Sequence, residues 1–193
     1  TEETLANFSR LDIPELAALL AALVENQTAQ GLSDFFSALL SLDGESKDKA
    51  LAALMAYANN SQDPLMALIV ELETQYPGDI GLFVPLTLNI ITLEPGQAMF
   101  LDAETPHAYI KGTGLEIMAN SDNVLRAGLT PKYMDIEELV ACTIFEEKPF
   151  DALLLEPKVN DEVLEYPIPV EDFKFAIIPS STARVIEIDS AEI

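Results

Sequence analysis

The chain turns on Tyr76-Pro77-Gly78-Asp79, a break after which the hydrophobic period changes. Proline followed by glycine stops a helix and opens a turn. Beyond it, Leu86-Thr87-Leu88-Asn89-Ile90-Ile91-Thr92-Leu93 is rich in β-branched residues and partly alternates, which predicts a strand. Glu94-Pro95-Gly96-Gln97 is a turn, and Ala98-Met99-Phe100-Leu101 a second strand. After a loop from Asp102 to Pro106, His107-Ala108-Tyr109-Ile110 opens a third. Gly112 and Gly114 flank another turn, and Leu115-Glu116-Ile117-Met118 makes a fourth. Short strands at this spacing predict an antiparallel barrel or jelly roll.

Upstream of the break the pattern is helical. Asp12 precedes Ile13-Pro14-Glu15, an Asp-x-x-Glu capping box with proline in the first turn. Leu16, Leu19, Leu20 and Leu23 follow at helical spacing, and Gly31 breaks the chain. Ser33 or Asp34 can cap a second helix carrying Phe36, Leu39 and Leu40, which Asp43-Gly44 ends. Ser46 can cap a third, with Leu51, Leu54 and Met55. Asp63-Pro64 opens a fourth, with Leu65, Leu68, Ile69 and Leu72 on one face. Downstream, Asp135-x-x-Glu138 is another capping box, opening a short helix through Leu139. From Pro149 onward, prolines divide the chain into loops and edge strands, and Val185, Ile186 and Ile188 suggest a last strand.

Ten basic and 33 acidic residues leave a net charge of −23 in 193 residues. Nucleic acid and anionic membranes both require a basic face, so neither is expected as the main partner. Apolar residues are 49% of the chain, enough for a core. The one cysteine, Cys142, excludes an internal disulfide framework and a cysteine-rich zinc module. No apolar run approaches the ~20 residues of a membrane span, and there is no signal-peptide pattern. The expected location is the cytoplasm.

The chemistry-bearing residues gather around the single histidine, His107. Pro-His-x-Tyr at the mouth of a strand aims an imidazole into a small barrel, where metals are commonly held. Glu116, Asp122, Arg126 and Lys132 lie further along. Residues 102–132 hold four acids and three bases, a near-neutral island in an acidic chain. Arginine and lysine there suit a phosphorylated small molecule. The residues read equally as a surface histidine, solvated charges paired with Asp122 and Asp135, and an Asx turn at Ser121-Asp122-Asn123.

Several stretches resemble the type I phosphomannose isomerases. They are Tyr76 to Phe83, Leu88 to Leu101, Glu104-Thr105-Pro106-His107-Ala108-Tyr109, and the long string from Glu116 to Lys132. The resemblance is close over residues 76–141 and looser on either side. It implies a partial cupin-like jelly roll with an inserted helical domain, an α+β, mainly β fold. The expected regions are a helical lobe over 1–76, part of the catalytic jelly roll over 77–145, and the start of a C-terminal β lobe over 146–193.

The resemblance also implies an activity, the zinc-dependent interconversion of mannose 6-phosphate and fructose 6-phosphate. His107 matches one of four zinc ligands in the family. The others, a Gln-x-His pair and a Glu, lie upstream of the helical domain there, and a chain with one histidine cannot contain that pair. Arg126 matches the catalytic arginine; Tyr109, Glu116, Asp122 and Lys132 match residues lining the substrate pocket. The implied object is an internal fragment, inactive alone, with a sugar phosphate as its small-molecule partner. Such a fragment is expected to be a monomer or to associate through strand edges. Two other classes remain open. One is a non-catalytic cupin-like sugar-phosphate-binding module. The other is an interaction domain whose acidic surface recruits a basic partner.

Overall fold

The computed structural model describes residues 1–120 and 124–179. Helices take up most of the chain as far as Gln75. They are α1 (Glu2–Ser9), α2 (Ala17–Glu25, entered through a 3-10 turn at Pro14–Leu16), α3 (Ala29–Leu40), α4 (Gly44–Asn59) and α5 (Pro64–Gln75). Helix α1 lies ahead of the first helix that the periodicity marks. Its opening Glu2 and Glu3 suit the positive end of the helix dipole. Phe8 at its far end is fully buried, edge-on to Phe35 (5.0 Å between ring centroids) and stacked on Phe83 (5.9 Å).

Three of the expected helix starts are corrected. Asp12 does not cap: the cap position is Ile13, and Asp12 takes a left-handed backbone (φ 48°) as the chain turns out of α1. Helix α3 begins before Ser33 and Asp34, with Thr28 Oγ1 accepting from the Gly31 N–H at 3.3 Å. Gly31 therefore sits inside α3 and breaks nothing. A methyl group there would lie 1.8 Å from the Asn26 carbonyl oxygen, so glycine is what lets α3 leave the end of α2 so tightly. Helix α4 has Asp43, ahead of Ser46, at its cap position, where the side chain makes no cap bond. Asp63 and Asp135 cap as expected: Asp63 accepts from the Leu65 N–H at 2.8 Å, and Asp135 from the Glu138 N–H at 3.1 Å, opening α6 (Ile136–Ala141).

The Tyr76–Asp79 break holds, but it leads into a 3-10 stretch, Ile80–Leu86, with all seven residues buried. It threads the helical core beside Phe8, Leu16, Leu39, Leu54 and Ile69. Leu125, Ala127, Leu129 and Ile136 pack against that core from the other part of the chain, and Leu139 of α6 joins it.

Strands are fewer and shorter than expected. Residues 87–93, 107–110 and 115–118 form no ladder. Of the second expected strand only β1 (Ala98–Met99) forms, antiparallel to β2 (Leu154–Leu155), which directly succeeds the short helix α7 (Phe150–Leu153). Tyr166, further along the chain, ties itself to the turn ahead of β1 by donating its hydroxyl to the Gly96 carbonyl. Three more strands make a meander in the order β3 (Lys158–Asn160), β4 (Val163–Tyr166), β5 (Phe175–Ile177). Its first turn has positive φ at both Asp161 and Glu162, the two-residue type that matches strand twist. The reason for the missing ladders is physical. A strand exists only where a neighbour takes its N–H and C=O groups, and no such neighbour lies beside these segments among the described residues. Ile90, Tyr109, Leu115 and Met118, apolar enough for a sheet, stay exposed instead. The last expected strand, at Val185 to Ile188, lies outside the described residues.

Candidate functional site

His107, Tyr109 and Glu116 come into direct contact. The Tyr109 hydroxyl donates to Glu116 Oε1 at 2.8 Å, and the His107 and Tyr109 rings meet edge-on at 6.0 Å. Tyr109 is 74% exposed, yet its hydroxyl end is partly withdrawn from water. That withdrawal, then the bond to Glu116 and its negative charge, push the phenol up to about 12. Tyr109 is therefore a proton donor throughout the neutral range.

His107 Nδ1 lies 2.9 Å from the Thr105 carbonyl oxygen. A carbonyl can only accept, so Nδ1 carries a proton, and in the neutral ring Nε2 then holds the lone pair. That is the tautomer a metal-binding imidazole needs, with the backbone fixing the ring. The donor chemistry thus suits zinc at His107. Among the described residues, however, no group of three His, Cys, Asp or Glu side chains could hold a metal ion. His107 fits as one ligand of a site that these residues do not complete.

Arg126 and Lys132 lie on a separate loop. Among the described residues neither pairs with a carboxylate, and neither shares a side-chain hydrogen bond or ion pair with the His107–Tyr109–Glu116 group. The ion pairs at Arg10–Asp63 (2.6 Å), Lys111–Glu71 (3.5 Å) and Lys148–Asp102 (2.8 Å) employ other cations. Asp122 lies outside the described residues, as does the turn around it.

Sequence reasoning missed Asp79. Read as part of a turn, it caps the Ile80–Leu86 stretch and also reaches the Arg126 loop. Its Oδ1 accepts from the Gly81 N–H (2.7 Å) and the Leu129 N–H (3.1 Å), and its Oδ2 from the Thr130 N–H (3.1 Å). An aspartate directly after Pro-Gly is a legible cap signal, but the loop fifty residues away is not a local matter.

Residues 8–88 match the helical insertion domain of type I phosphomannose isomerase. Mannose-6-phosphate isomerase of Salmonella typhimurium is 52% identical over 158 residues, covering 82% of this chain and 40% of that protein. The human mannose-6-phosphate isomerase is 42% identical over 154 residues, covering 75% and 36%. The crystal structure of the Salmonella typhimurium enzyme bound to substrate and a zinc atom aligns with a TM-score of 0.81 at 48% identity, over 89% of this chain and 44% of that one. Its apo form gives 0.82 at 47%, over 91% and 44%. The helical lobe and the short antiparallel β segments together thus align with part of the fold of these isomerases. The chain belongs to the type I phosphomannose isomerase family, and it spans about 40% of the length of the curated relatives it matches. Among its described residues no helix is long and apolar enough to cross a membrane.

Proposed function

We propose that this chain carries part of a zinc-dependent isomerase interconverting mannose 6-phosphate and fructose 6-phosphate in the cytoplasm. The observation that carries the reading is the agreement of sequence and shape with an enzyme solved with substrate and zinc bound. In this reading residues 1–76 are the helical lobe, 77–145 contribute part of a cupin-like jelly roll, and 146–193 begin a further β lobe.

Aldose–ketose isomerisation moves a proton between the first two sugar carbons and develops negative charge on oxygen. Zinc, when bound, would polarise that oxygen or hold the sugar hydroxyls. His107 would be one ligand through Nε2, held in the right tautomer by the Thr105 carbonyl. Arg126 would hydrogen-bond the developing oxyanion through its guanidinium. Tyr109, protonated, would exchange its bond to Glu116 for one donated to a sugar oxygen. Glu116 and Asp122 would bind substrate or relay a proton, and Lys132 would meet the phosphate. Among the described residues no group of three side chains could hold a metal ion, and zinc held catalytically needs three, so the chain on its own is expected to be inactive.

The test is the conversion of mannose 6-phosphate by a protein of the relatives' length that contains this chain. Turnover lost together with zinc in His107→Ala supports the reading. No turnover in the unmutated protein overturns it.

A further inference from the structure

We infer that Asp79 is a positioning residue for Arg126, an inference that rests on the role just proposed for that arginine. The half-buried Asp79 carboxylate gathers three N–H donors, one from its own 3-10 stretch and two from the loop after Arg126. A carboxylate acceptor makes these bonds stronger than neutral ones. The tie is close because Gly81 and Gly128 have no side chains. A methyl group on Gly81 would lie 2.4 Å from the Leu129 nitrogen, and one on Gly128 2.5 Å from the Gly81 Cα. The tie continues from Thr130, whose Oγ1 accepts from the Lys132 N–H at 3.2 Å.

The clamp fixes which way Arg126 faces. Leu125, Ala127 and Leu129 pack against the helical core, while Val124 and Arg126 are exposed. In an alternating segment a slip of one residue exchanges the two sides. Asp79 grips the segment at 129 and 130, the point at which a slip would begin. Asp79→Asn keeps the shape but not the pairing. One amide oxygen can still accept, while the NH2 group must face at least one N–H that needs an acceptor.

The experiment uses a protein of the relatives' full length containing this chain. It compares Asp79→Asn, Arg126→Ala and the double variant with the unmutated protein, with turnover normalised to folded enzyme well below each melting temperature. Asp79→Asn is expected to lower kcat at least about tenfold, since small misplacements of a reacting group are costly. In the Arg126→Ala background it is expected to change kcat less than about twofold, because two residues acting as a unit are not additive. A general structural defect would instead lower kcat by the same factor in both backgrounds, and that result overturns the inference while leaving Arg126's role intact. Full turnover in Arg126→Ala overturns the role proposed for Arg126, and the positioning role of Asp79 with it, while leaving the isomerase reading intact. Amide exchange in the unmutated protein covers the case in which Asp79→Asn does not fold. The Leu129 and Thr130 amides are expected to be protected with the helical core, and exchange at the rate of a free loop overturns the clamp.

Discussion

Gly81 and Gly128 meet backbone to backbone across 47 positions of sequence, leaving no room for a Cβ on either. Gly81→Ala and Gly128→Ala should each destabilise the fold by about 1–3 kcal/mol through overpacking. Gly128→Ala should be the worse, because its φ of +100° is foreign to an L side chain. Urea unfolding monitored by circular dichroism measures both. A midpoint unchanged in either variant contradicts the contact.

Asp63 caps α5 and pairs with Arg10 at 2.6 Å. Its carboxyl is held below the usual range, first by the Leu65 N–H and then by Arg10, with partial burial opposing. Asp63→Ala should cost about 1 kcal/mol, the usual worth of an N-cap. A depressed carboxyl contributes stability that is full above its unfolded value, about 4, and is lost as pH falls through the lower folded value. The gap between the two proteins' urea midpoints should therefore narrow below about pH 4. A gap that widens on acidification refutes the assignment.

Tyr109 should ionise at about 12. Because the folded value is raised, the associated stability is full below about pH 10, the ordinary phenol value, and is lost as pH rises through the folded value. Glu116→Gln removes the charge and should bring the phenol back toward its ordinary value. Ultraviolet titration of tyrosinate in the two proteins measures this, and identical curves would mean that the Tyr109–Glu116 bond does not form in solution.

The exposed apolar side chains of the unladdered segments should make the isolated chain self-associate, despite a charge of −23. Leu115 is 86% exposed and Tyr133 84%. Leu115→Lys with Tyr133→Lys should shift the chain toward monomer in analytical ultracentrifugation. A strictly monomeric parent at high concentration would sink the expectation.

The helices were legible where a local rule marks them, although α1 was missed and three starts were misplaced. Asp63-Pro64 and Asp135-x-x-Glu138 carry their own caps, and both start where they should. Gly31 misled because its cause lies in the Asn26 carbonyl, a packing fact rather than a propensity. The strands misled for a related reason: β-branched content at Ile90 and Ile91 reports fitness for a sheet, while the ladder needs a second segment to supply it. His107 stood out by being the only histidine, and the family resemblance gave it a role. Its tautomer depends on a carbonyl two residues back and appears only in the structure. Asp79 was hidden for the opposite reason, since its two further bonds reach residues 50 and 51 positions away.

Because Leu125, Ala127 and Leu129 are seated on the same apolar core as Phe8 and Phe83, the helical lobe is also the foundation of the Arg126 loop. Loosening that core by warming should therefore free the loop before the helices melt. Substitutions buried among the helices, far from Arg126, would then loosen its loop at temperatures where the helices are still formed.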